Sequence, residues 1–171
     1  MPAMTQNNLY APWRIDYLRR LNDGPKPECF LCDAWQKPDQ DAQNKVLYRA
    51  EQTMIIMNHY PYTNGHLMVC LGDHIGDLTD MSPDQRAELM ETTHIAEQII
   101  RATLNPQGIN VGINIGEAAG AGLPGHLHIH LVPRWAGDTN FIDVVGQVRV
   151  IPMAMEQIYD EMLTASQNLN L

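Results

Sequence analysis

The segment GHLHIHLVPRW (125–135) alternates three histidines, His126, His128 and His130, with Leu127, Ile129 and Leu131. Successive side chains of a β-strand point to opposite faces, so residues two apart share a face at a spacing of about 6.7 Å. The aliphatic set is expected against a core. The imidazoles are expected on a polar cleft, because burying three of them without partners is costly. Two chemistries suit such a triplet. Alternating histidines can hold zinc, usually with an acid nearby, but the nearest acids, Glu117 and Asp138, are separated from the triplet by loop. The other chemistry is nucleophilic: a neutral imidazole attacks phosphorus and gives an adduct labile enough to be released. That route needs an attacking histidine, a neighbour that moves a proton, and N–H groups for the phosphoryl oxygens. His128, His130 and the loop GAGLPG (120–125) supply these types in order.

A second group that could do chemistry is CFLC at 29–32, which has the spacing of half a zinc site. The chain holds 3 cysteines, an odd number that does not read as a disulfide framework. With no other CxxC, histidines would have to complete a four-ligand site. A redox role is disfavoured because no thioredoxin-like βαβ pattern surrounds the pair. Cys70, within HLMVCL (66–71), reads as buried apolar filler. Met54, Met57 and Met68 read as core, His59 as exposed, and His94 as a helix-surface histidine. Trp135 fits a core, an interface or a substrate contact equally.

The elements that must position these groups follow from pattern. APWRIDYLRRLN (11–22) places Trp13, Tyr17 and Leu21 on one side of a short helix. Residues 22–45, rich in Pro, Asp, Gln and Asn, read as loops around the cysteine pair. KVLYRA (45–50), TMIIMN (53–58) and HLMVCL (66–71) read as a meander of strands, with turn chemistry at YPYTNG (60–65). Ser82 as N-cap, Pro83 and Gln85 open a long helix that Asn105, Pro106 and Gly108 end. GINVGINIG (108–116) alternates like a strand and leads through a Gly-rich loop (117–125) into the histidine strand (126–132). A last strand is expected near 148–151 and a helix near 153–165. Strands, one long helix and further strands make an α+β fold with a mostly antiparallel sheet.

Length and charge narrow the function classes. The 171 residues suit one domain with a sizeable core. A formal net charge of −9 argues against a broad surface for nucleic-acid backbone, while leaving room for a local phosphate site. No apolar run is long enough for a membrane helix, and MPAMTQNNLYAPWR is not a signal peptide, so a soluble cytoplasmic protein without a membrane partner is expected.

The run from His126 to Val132, followed by Pro133 and Arg134, resembles the signature of the histidine-triad (HIT) superfamily of nucleotide hydrolases and transferases. The likeness extends to NHYPYTNGHLMV (58–69), NVGINIGEAAGAG (110–122), APWR (11–14) and PRWAGDTNF (133–141), the last two resembling the bacterial diadenosine-tetraphosphate phosphorylase and hydrolase branch. The resemblance implies one HIT domain over 1–171: an N-terminal extension with the CxxC (1–45), a core (46–152), and a C-terminal helix and tail (153–171). It implies a five-stranded antiparallel sheet, joined to a second across a homodimer. His128 would attack the α-phosphorus of an adenosine polyphosphate and form a nucleotidyl-histidine. The His126 carbonyl would fix the His128 tautomer, and His130 would contact the phosphate or scissile oxygen. Asn58, His66 and Asn114 would bind substrate, with the loop residues Gly120, Ala121, Gly122 and Leu123 around its phosphates. Ala121-Gly122 stand where phosphorylase-like relatives commonly carry a hydroxyl residue, so hydrolysis and phosphorolysis both stay open. Cys29, Cys32, His74 and His126 match a structural Zn²⁺ set of some bacterial relatives, and Mg²⁺ accompanying the substrate is compatible with the reading. The competing readings are a zinc hydrolase using all three strand histidines as ligands and a nucleotide-binding module without turnover.

Overall fold

The computed structural model describes residues 28–139, 141–146 and 150–169; the helix expected at 11–22 lies outside them. Five strands, β1 (Val46–Arg49), β2 (Thr53–Met57), β3 (Leu67–Leu71), β4 (Gly108–Ile113) and β5 (His128–Arg134), form one sheet in the order β1-β2-β3-β5-β4. Every neighbouring pair is antiparallel. The expected α+β class and five-stranded sheet are what the chain builds. The central strands β2 and β3 are buried along their whole length, which is why TMIIM and LMVCL read as continuous apolar runs rather than alternations.

One face packs on the long helix α3 (Pro83–Leu104) and the C-terminal helix α5 (Met155–Asn168). Leu127, Ile129 and Leu131 join that core at 2% exposure or less. Each contributes about 1.5–3 kcal/mol by burial, so the register of β5 is strongly held: a one-residue slip would turn all three outward. Ser82 and Gln85 form a complete capping box on α3, and Asn105 ends it in the left-handed region at φ 43°. The turn at 60–65 is clamped to the C-terminal segment: the buried Asn64 amide donates to the Met153 carbonyl and accepts from its N–H. On α5, Tyr159 and Ser166 donate to the Val46 and Leu47 carbonyls.

On the opposite face the described residues build a cover over one half. Residues 29–44 are not the loops their composition suggested. They form α1 (Phe30–Gln36), a 3₁₀ turn (Pro38–Gln40) and α2 (Asp41–Asn44). The start of α1 is hidden from sequence because its N-cap is Cys29, whose sulfur accepts from the Cys32 N–H, an atypical capping residue. Leu31 and Ala34 seal the helix onto Met54, Ile56, Met68 and Cys70. Trp35 lies flat on Gly72, where a Cβ would sit 2.1 Å from the indole. Arg49 fastens the strand to this cover through the Ala34 and Trp35 carbonyls and Asp41. Among the described residues the cover stops at β3; on the β5–β4 half of this face Asn110 and Gly112 are exposed and His128 is buried.

The strand expected near 148–151 does not form in its described part. Val150 and Ile151 are exposed coil, and Pro152 removes the next ladder donor; Val148 and Arg149 lie outside the described residues. A helix that the sequence did not announce, α4 (Phe141–Gly146), follows β5. The C-terminal helix expected at 153–165 spans Met155–Asn168.

Candidate active site and thiol–histidine cage

The sheet register sets His128 opposite Cys70 and His130 opposite Met68 on β3, with Gly112 of β4 on the other side of His130. His128 and His130 therefore lie at the seam where the α1 cover ends. Their rings meet edge to face at 4.7 Å.

Hydrogen bonds fix the protons of these rings. The His128 Nδ1–H donates to the His126 carbonyl at 2.9 Å. This leaves the lone pair on Nε2, to which no described residue bonds. His66 accepts the Tyr62 N–H on Nδ1 at 3.2 Å, so its proton sits on Nε2. That proton is donated to His130 Nδ1 at 2.9 Å, and His130 carries its own proton on Nε2. Tyr62 stacks on His66 at 4.7 Å. Burial, then the neighbouring His128, holds His130 below the ordinary imidazole range, so it is neutral at pH 7. The arrangement presents one imidazole with a free lone pair beside another with a free proton.

His126 does not share the cleft. It is fully buried, because the strand begins only at His128 and the pleat no longer dictates where position 126 points. The Leu127 N–H is held by the Ile75 carbonyl at 2.7 Å, and the His126 Nε2–H donates to the Leu71 carbonyl at 2.9 Å. Its Nδ1 lone pair then faces sulfur, 3.3 Å from Cys29 and 3.4 Å from Cys32. His74 Nδ1 is 3.2 Å from Cys32. The four ligand atoms lie within 4.8 Å of one another, and this is the one such group of His, Cys, Asp and Glu found among the described residues. A tetrahedral ion with S and N ligands at about 2.3 and 2.0 Å would set S···N edges near about 3.5 Å. The observed S···N edges, 3.2–3.4 Å, lie close to that value, and two sulfurs with two imidazole nitrogens are a donor set that fits zinc. Burial and the adjoining Cys29 push the Cys32 thiol up to about 11. The strand triplet itself does not converge on an ion, which removes support for three histidines acting as ligands together.

The remaining expected residues fall unequally. Asn58 is half-buried at the end of β2, its side-chain oxygen accepting the Tyr60 N–H. Asn114 is half-buried just beyond β4, one residue past Ile113, which pairs with Ile129. His66, expected to touch substrate, is fully buried and sits under His130 instead. In the glycine loop, the Gly120 and Ala121 N–H groups are spent on the Glu117 and Gly116 carbonyls. Those of Gly122 and Leu123 bond no described residue, which narrows the amide donors to these two. Cys70 is buried filler, Met54, Met57 and Met68 are core, and His59 and His94 are exposed. Sequence reasoning missed Tyr62, whose only signal was its place four residues before His66, and the Arg134–Asp138–Asn110 cluster that closes the far end of β5.

A family model described as the HIT domain matches residues 39–137. An AP-4-A phosphorylase of Mycobacterium tuberculosis is 37% identical over 153 residues, 86% of this chain and 77% of that protein. A bis(5'-nucleosyl)-tetraphosphatase (asymmetrical) of Schizosaccharomyces pombe is 28% identical over 60% of this chain and 56% of its own length. Among solved structures, a Zn-bound histidine triad family protein from Mycobacterium smegmatis superposes with a TM-score of 0.67 at 29% identity, covering 83% of this chain and 95% of that one.

Proposed function

This chain belongs to the HIT domain family, and from that premise we propose that it cleaves dinucleoside polyphosphates of the diadenosine-tetraphosphate kind through a nucleotidyl-His128 intermediate. The observation that carries this reading is the bond from His128 Nδ1 to the His126 carbonyl, which leaves on Nε2 a lone pair that no described residue takes up, on a buried ring at the seam where the α1 cover ends. His128 Nε2 attacks the α-phosphorus, and the P–O bond to the remaining polyphosphate breaks. His130, protonated on Nε2, donates to the departing oxygen. The N–H groups of Gly122 and Leu123 receive the non-bridging oxygens. Asn58 and Asn114 hold the nucleotide on either side of the strand, and His66 acts through His130 rather than on substrate. Water or inorganic phosphate then attacks the adduct and frees His128. The two relatives' names favour phosphate and water respectively.

Cys29, Cys32, His74 and His126 hold a structural Zn²⁺ in this reading. A zinc there supplies a cross-link between α1, the segment after β3 and the start of β5, and takes no part in the chemistry. Reduced thiols suit a cytoplasmic location. The exposed Val111 and Ile115, on and just beyond the edge strand β4, support a homodimer. Incubation with diadenosine tetraphosphate, with and without inorganic phosphate, tests the reading by product mass. AMP and ATP without phosphate mean hydrolysis, and ADP appearing only with phosphate means phosphorolysis. Failure to consume any adenosine polyphosphate from a panel defeats it.

A further inference from the structure

Two features that the proposed chemistry leaves separate meet in one residue. The His126 ring faces Cys29 and Cys32, and its carbonyl receives the Nδ1–H of His128. The ring is fixed at both nitrogens, so a change that displaces the backbone at 126 shifts at once the cage contact and the acceptor that sets the tautomer of His128.

The cage is also asymmetric. Cys29 and His126 are buried, while Cys32 is half-buried and His74 is exposed. A reagent can therefore reach Cys32 before its partner. Cys29 caps α1 and Cys32 lies in the first turn, with the Cys32 N–H already on the Cys29 sulfur at 3.4 Å. The two sulfurs lie within 4.8 Å, so side-chain rotation with a small backbone adjustment brings them to the roughly 2.05 Å of a disulfide. A metal-held thiol is a thiolate, the form that attacks an oxidant. The absence of a thioredoxin-like setting argues against a catalytic disulfide, not against one that reports on oxidant.

We propose that Cys29 and Cys32 are a peroxide-sensitive pair whose oxidation opens the cage and releases the His126 carbonyl from the ring of His128. The Cys32 thiolate attacks one oxygen of a hydroperoxide; the O–O bond breaks, giving Cys32 sulfenic acid and, with a proton, water or an alcohol. The Cys29 thiolate then attacks the Cys32 sulfur, the S–O bond breaks, and the hydroxyl leaves as water with a proton from solvent. The pair loses two electrons and the peroxide gains them. Sulfur joined to sulfur no longer ligates, and the buried His126 Nδ1 loses its partner. A buried polar atom without a partner favours rearrangement, and the His126 carbonyl moves with it.

This inference rests on the reading of His128 as nucleophile, and the test keeps the two apart. The zinc-loaded full chain carrying Cys70→Ala has only these two of its cysteines. It is titrated with hydrogen peroxide and followed by intact mass, a chromogenic zinc chelator, imidazole ¹⁵N signals and diadenosine-tetraphosphate turnover. The expected result is a loss of two hydrogens per chain, release of about one zinc, and a His128 pattern that changes from one fixed tautomer to an average. Turnover falls at least tenfold, and dithiothreitol with zinc reverses all four. A pair that stays reduced under peroxide overturns the proposal. So does a disulfide that forms while the His128 signals stay unchanged. If the ¹⁵N pattern shifts as expected and no turnover exists at any stage, the inference stands and the proposed enzyme activity falls.

Discussion

His126 and His130 flank the same residue on the same chain, two positions to either side, and serve opposite ends of the molecule. His126 is turned inward to two sulfurs and anchored by the Leu71 carbonyl. His130 stays on the strand face and is anchored by His66. The difference comes from where the pleat begins: β5 starts at His128, so alternation governs His130 and a loop governs His126. Identical side chains at identical spacing are thus divided by backbone into one that faces the thiols and one that faces His66, with His128 tied to the first by a hydrogen bond and to the second by ring contact.

The largest effect expected falls on the residue between them. His128→Ala should lower turnover by about 10³-fold or more, as loss of a covalent nucleophile does, with zinc content by elemental analysis unchanged. Zinc lost together with activity would erase the distinction, because His128 would then belong to the cage. The next effect is on the buried side. Cys29→Ser should remove most of the bound zinc and lower the denaturant midpoint, a loss of about 2–5 kcal/mol when a cage ligand inside a core is broken. Activity should follow by about 10–100-fold, because the carbonyl that orients His128 loosens. A variant that loses zinc and keeps full turnover would show that the two regions are independent.

Much of this division was legible in sequence, and the illegible part has a physical cause. Leu127, Ile129 and Leu131 announced the core face because a strand's period is two. Ser82, Pro83 and Gln85 announced α3 because capping is local. The inward turn of His126 was not readable, since it depends on Ile75 and Leu71, which are far away in the chain. The cover α1 was masked by a sulfur acting as cap. The hydrogen bond from His66 to His130 depends on a pairing across β3 and β5 that no local pattern encodes. Covalent neighbours were readable from pattern; of the distant partners, the set Cys29, Cys32, His74 and His126 was legible only through the family resemblance.

A smaller effect sharpens the open side. His66→Gln places an amide N–H near the position of the histidine Nε2 and can still donate to His130, whereas His66→Ala cannot. Turnover should fall by about tenfold in the alanine variant and by less in the glutamine variant, with zinc unchanged in both. Equal losses would mean that His66 serves packing alone.

The smallest effect is the shape of the acid limb. His130 is held below the ordinary imidazole range first by burial and then by the nearby His128. The groups facing it are His66, His128 and Tyr62. A proton added to its Nδ1 would oppose the donor of His66, so His130 resists protonation until the pH lies under the roughly 6.5 of a free imidazole. The unfolded chain takes up that proton first. Between the unfolded and folded values the unfolded state binds more protons, so stability falls as pH falls through that window, and the contribution of His130 is complete above it. Turnover of the intact protein should hold to below about pH 6.5 and then decline. In His66→Ala the opposing donor is gone, protonation is easier, and the decline should begin at higher pH. A pH profile of turnover for the two proteins, taken with unfolding midpoints at neutral and acid pH, reads this directly. An acid limb that stays in place in the variant would mean that burial alone sets it, and that His126 and His130 differ in position but not in how their partners control their protons.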